Sequence, residues 1–103
     1  MGWADRHIED LRAGQIVQFR PHGNSMTGRV GSGQLVTVAP LSTDPAVGQI
    51  VLCRVNGSQY MHLVKATRGS DAGLQFLIGN NRGGTNGWVG RNAIYGILIK
   101  VED

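Results

Sequence analysis

Apolar residues recur in short runs separated by glycine, proline, asparagine and aspartate, and the period of the runs changes once. Over residues 5–13, Ile8 and Leu11 share one face at i, i+3, Asp5 stands at the N-cap position, and Gly14 follows as a C′ stop, so the pattern predicts a short helix. From Gln15 onward the pattern is that of strands. Strands are predicted over 15–20, ended by Pro21 and Gly23, and over 34–39, closed by Pro40. The run 49–55 is almost uniformly apolar, which predicts a strand buried on both faces. Asn56-Gly57 then gives a strong hairpin signal, because both central residues of a type I′ turn need φ > 0. The partner strand covers 58–67, and further strands are predicted over 74–78 and 94–101. Residues 28–33, 41–48 and 79–90 read as turns or loops, the last holding Trp88. The sum is a mainly β domain of short antiparallel strands with one short N-terminal helix.

Length and composition fit that picture. The chain has 103 residues, which predicts a single domain over 1–103 with its core in 15–101, and its 16 glycines suit many tight turns. A single cysteine, Cys53, leaves no internal disulfide and favours a reducing compartment. No apolar run approaches the roughly 20 residues of a membrane helix, and the N-terminus has no signal-like core. A cytoplasmic location and no membrane association are therefore expected. The net charge of +3 hides an asymmetry: nine of the ten Lys and Arg residues lie between Leu11 and Val101, where Asp44 and Asp71 are the only acids. Such a bias attracts phosphates and acidic partners, or simply keeps a surface soluble.

The candidate chemistry begins at Gly23-Asn24-Ser25-Met26, a glycine-bearing corner after an apolar run. A turn of this kind holds a serine hydroxyl out of a sheet beside backbone N–H groups, although a serine in such a place is commonly only a turn residue. In the later strand Tyr60, His62, Val64 and Ala66 share one face, and Met61, Leu63 and Lys65 the other. A lysine on an apolar face is expensive to keep charged, the condition for a general base towards a serine. The alternative is an edge-strand lysine that snorkels into water. A Ser–His–Asp triad based on His22 or His62 lacks an obvious acid, since Asp44 and Asp71 sit in turns. The histidines and Cys53 show no metal-ligand spacing, so neither metal nor cofactor is expected, and Cys53 reads as core. Residues 79–87, rich in Gly and Asn, offer backbone N–H groups and Arg82 to an anion, or form an ordinary wide turn.

Taken in order, these stretches resemble the superfamily of LexA-type repressor peptidases and type I signal peptidases. Gly23-Asn24-Ser25-Met26 looks like the Ser-Met box. Gly33-Gln34-Leu35-Val36 and Gly48-Gln49-Ile50-Val51 look like the family's two Gly-Asp/Gln-hydrophobic-Val strand starts. His62-Leu63-Val64-Lys65 is similar to the strand that carries the base lysine. Gly79-Asn80-Asn81-Arg82, with Trp88 and Ile94-Tyr95-Gly96, is similar to the distal box of signal peptidases. The resemblance spans residues 15–101.

It implies a β-ribbon fold in which Ser25 attacks a peptide carbonyl, Lys65 takes its proton, and backbone N–H groups around Asn24 and Ser25 hold the oxyanion. The serine that orients the lysine in signal peptidases has no clear match, and Thr85 is the nearest hydroxyl. The implied function is a soluble Ser–Lys hydrolase of peptide or protein substrates. Gln34, Gln49 and Asn80 stand where the family often has aspartate, which favours a second reading: a catalytically weak member that binds an anionic ligand, nucleotide or protein partner. The run 94–99 is apolar on both faces and, taken as an exposed edge, predicts a homodimer through the C-terminal strand, as in repressor-type relatives.

Overall fold

A computed structural model describes residues 2–22 and 29–103. Among these, one helix, α1 (Asp5–Arg12), precedes seven strands: β1 (Val17–Phe19), β2 (Leu35–Pro40), β3 (Ile50–Val55), β4 (Ser58–Arg68), β5 (Gln75–Gly79), β6 (Thr85–Gly90) and β7 (Ile94–Glu102). They form a single antiparallel sheet in the order β1-β2-β7-β3-β4-β5-β6. The β3–β4 hairpin lies at its centre. Its turn has Asn56 at φ 51° and Gly57 at φ 83°, the left-handed pair that Asn-Gly reaches at little steric cost.

Both faces of the sheet are buried, and alternation along β3 assigns its residues to them. Ile50 and Leu52 pack with Val36, Val38, Met61 and Leu63, while Val51, Cys53 and Val55 pack with Val64, Phe76, Ile78 and Val89. Only Arg54 of β3 is exposed, so the expectation of a strand buried on both sides is met. The first face is covered by α1 through Ile8 and Leu11. Gly96 of β7 makes room for the helix, since a Cβ there would sit 3.0 Å from Leu11 Cδ1. On the second face the sheet curls back, bringing Gly87 of β6 against Val55 of β3.

An eight-residue helix is too short to persist alone. It ends as expected, with Gly14 at φ 86° and two terminal bonds, Gly14 N–H to Leu11 O and Gln15 N–H to Asp10 O, both 3.0 Å. Its start differs from the sequence reading. Ala4, not Asp5, is the N-cap residue, and no side chain of its own caps it. Gln59 of β4 does that work from across the fold: its Oε1 accepts from Ala4 N–H at 2.8 Å, and its Nε2 donates to Asp5 Oδ1 at 2.6 Å. Tertiary contact overrides the local cap.

Two further expectations are corrected. Residues 79–90 are not one long loop: β5 and β6 form a hairpin whose turn covers 80–84, and Trp88 lies under the guanidinium of Arg68 at 4.2 Å. β7 is not an exposed edge, because it pairs with β2 on one side and β3 on the other. Its two apolar faces reflect an internal position, and the open edge that motivated a C-terminal homodimer is absent.

Candidate functional site

The strands β4, β5 and β6 run in register except at two points. Between Val64 and Ala66, β4 carries an extra residue, Lys65, while β5 continues directly from Ile78 to Leu77. Between Gly87 and Thr85, β6 carries an extra residue, Asn86, while β5 continues from Ile78 to Gly79. A bulge frees its extra residue from the ladder and re-aims the side chain. Here the two re-aimed residues are a lysine and an asparagine on either side of the same short stretch of β5.

Lys65 is half-buried, and its ammonium donates to the backbone carbonyl of Asn80 at 3.1 Å. Gly79 makes this reach possible. A Cβ at Gly79 would lie 2.6 Å from Lys65 Cδ and closer still to the Gly84 carbonyl oxygen. Gly79 pairs with Leu63, so the lysine stem lies on the face that Leu63 occupies. The turn beyond is held by Asn80, whose Oδ1 accepts from Arg82 N–H and Gly84 N–H, both at 2.9 Å. These two N–H groups, which the sequence offers to an anion, are thus engaged by the turn itself. The Arg82 side chain is exposed, and Thr85 stands opposite Gly79 at the start of β6 without a hydrogen bond to Lys65.

Asn86 turns towards His62 of β4, and its Oδ1 lies 2.7 Å from His62 Nδ1. Facing a carbonyl oxygen, Nδ1 is the donor of that bond. The imidazole is 7% exposed and stacks on Tyr60 at 4.8 Å. Burial pushes it below its ordinary value, and the bond to Asn86 opposes part of that shift. The acid that sequence reasoning sought for a histidine is therefore replaced by an amide that the bulge delivers. Asp44 is engaged elsewhere, paired with Arg91 through both carboxylate oxygens, and Asp71 sits in the turn between β4 and β5.

β4 pairs with β5 only from Leu63 onward, so residues before it face a cavity of about 470 Å³. This cavity is also lined by Pro21 and His22 on one side of the serine corner and by Val30 and Gly31 on the other. Ser25 and Asn24 themselves lie outside the described residues. Cys53 is fully buried, and burial pushes its thiol up to about 12, which makes it core. Among the described residues no group of His, Cys, Asp and Glu is arranged to hold a metal ion, and no helix is long and apolar enough to cross a membrane. No family model, curated protein or solved structure matches this chain.

Proposed function

We propose that the chain is a Ser–Lys hydrolase domain acting on a peptide or other acyl substrate, with Ser25 as nucleophile and Lys65 as general base. One observation carries this reading. Lys65 is lifted from its strand by a bulge and held by a neutral carbonyl, with no carboxylate partner among the described residues. The same strand, three residues earlier, shares a cavity with both flanks of the serine corner. A lysine fixed this way has its Nζ oriented by a backbone carbonyl, as a base directed at a serine needs.

In the reaction, Lys65 Nζ removes the Ser25 hydroxyl proton as Oγ adds to the substrate carbonyl. The proton then passes to the leaving group as the acyl bond to it breaks, and water hydrolyses the acyl-enzyme with Lys65 again as base. Backbone N–H groups of Asn24 and Ser25 hold the oxyanion in the resemblance to the LexA/signal-peptidase superfamily.

The His62–Asn86 bond favours a second reading, in which His62 is the base and Asn86 fixes its tautomer. The runner-up from the sequence, an inactive member binding an anionic ligand, remains the alternative to any catalysis. A fluorophosphonate probe separates the three. Labelling that disappears in Ser25→Ala and Lys65→Ala but survives in His62→Ala supports the Ser–Lys reading. Loss in His62→Ala with survival in Lys65→Ala moves the base to His62. No labelling of the unmodified protein leaves the binding module.

A further inference from the structure

The cavity beside β4 is walled by rings. His7 of α1 stacks on Phe19 of β1 with centroids 4.4 Å apart and planes 20° from parallel. Trp3 tilts against the same Phe19 at 5.6 Å. On β4, Tyr60 and His62 form a second stacked pair. All five rings line one space, and they come from three parts of the chain that only folding brings together. Trp3 is 52% exposed although it is anchored, its indole N–H donating to Gln59 O at 3.2 Å. A large aromatic ring fixed in place and left open to solvent is the signature of a contact surface rather than of core.

The charge of the lining is as one-sided as its shape. Among the described residues that line it there is no aspartate or glutamate, and Arg20 is the one permanently charged residue. The guanidinium is held at the cavity by a bond from Nη1 to Gly33 O at 2.8 Å, which leaves its other donors for a partner. At about 470 Å³ the space falls within the roughly 300–1,000 Å³ typical of small-molecule sites.

We infer that this cavity binds a planar aromatic ring bearing an adjacent anionic group, the ring meeting the His7–Phe19 and Tyr60–His62 pairs and the anion meeting Arg20. Stacking supplies affinity without requiring a particular ring, since every such ring has a π face. A forked guanidinium selects a carboxylate or phosphate over a neutral group. Two sources share this chemistry: a nucleoside monophosphate, and a peptide end carrying an aromatic side chain and its carboxylate. The inference does not depend on hydrolysis, and it holds equally for the active and inactive readings of Ser25.

The test uses the full chain with Ser25→Ala, so that turnover cannot consume a probe and failure here says nothing about the dyad. Adenosine and uridine 5′-monophosphate and N-acetyl-tyrosine are titrated while the indole N–H signals of Trp3 and Trp88 are followed by NMR. Saturable movement of the Trp3 signal, with Trp88 as internal reference, is expected for at least one of these aromatic anions. Losing the anion should weaken binding about tenfold, the scale of one charge-assisted hydrogen bond, so N-acetyl-tyrosinamide or adenosine binds correspondingly less well. N-acetyl-leucine and inorganic phosphate, each with half of the chemistry, bind weaker still. Arg20→Gln should abolish the preference for the anion, and His7→Ala should weaken all rings, each in a protein whose melting curve shows it folded. Nucleotide binding alone assigns the ring to a base, and N-acetyl-tyrosine alone to a peptide; either supports the site. No saturable shift at millimolar concentration, or equal affinity for the aliphatic acid, overturns it.

Discussion

Lys65 and Asn86 are the extra residues of two β-bulges that flank a single residue of β5, Ile78, which pairs with Val64 on one side and Gly87 on the other. One bulge sends an ammonium to the carbonyl of Asn80, and the other sends an amide oxygen to His62. Bulges cost ladder bonds, and β7 carries register shifts of its own against β2 and β3, but around Ile78 two of them fall on either side of one residue and aim polar side chains.

Gly79 is the position on which the Lys65 arrangement depends. Gly79→Ala places a methyl group against the Lys65 stem and the Gly84 carbonyl, and backbone on one side cannot yield as a flexible side chain would. Overpacking of this kind costs about 1–3 kcal/mol, so urea denaturation should show a clear loss of stability. In the Ser–Lys reading, fluorophosphonate labelling should fall as well, while Gly90→Ala, whose Cβ meets nothing, should leave labelling intact. Unchanged stability in Gly79→Ala would disprove the packing argument.

His62 should titrate below its ordinary value of 6.5, because burial disfavours the imidazolium. The unfolded chain then binds the proton first as pH falls. Stability from this group is complete above about 6.5 and is lost as pH drops through the lower folded value. Asn86→Ala removes the bond that supports the charged form, so the folded value should fall further. The His62 ring signal followed by NMR against pH checks both. A shift to higher pH in Asn86→Ala would contradict the assigned bond.

The N-terminal helix should depend on Gln59. Gln59→Ala leaves the fully buried Ala4 N–H without its acceptor, at a cost of about 1–3 kcal/mol. Hydrogen exchange over residues 4–8 should speed up more than exchange in β3. Asp5 adds a pH signature: the Gln59 amide first, and then the Gly2 N–H, hold its carboxyl below the ordinary 3.8. That stabilisation is present above 3.8 and is lost as pH falls through the depressed value, so Asp5→Asn should flatten the acid limb of the stability curve.

Cys53 should be inert in the folded protein. Its thiol is buried and pushed up to about 12, so a negligible fraction is thiolate at pH 8. A disulfide reagent should react with it only after denaturant is added. Rapid modification of the native protein would show that β3 opens readily.

Much of the fold was legible in the sequence because it rests on local rules. The switch from helical to strand period at Gln15, the φ > 0 demand met by Asn56-Gly57, and the doubly apolar run of β3 are properties of neighbouring residues, and the structure bears each of them out. Alternation along β4 holds as far as Val64, and the bulge at Lys65 then interrupts it. What the sequence left undetermined depends on pairing between distant segments. Whether β7 is an edge or an internal strand is decided by which strands flank it, not by its own composition. The strand character of 85–90 is hidden behind glycine and asparagine and emerges only on pairing with β5. The bulges are invisible in one dimension, since an extra residue exists only relative to a partner's register. The same holds for the ring-lined cavity, whose walls come from residues more than fifty positions apart, and for the cap of α1, supplied by Gln59. Local preference set the elements, while the register of the sheet decided which side chains leave it and what they meet.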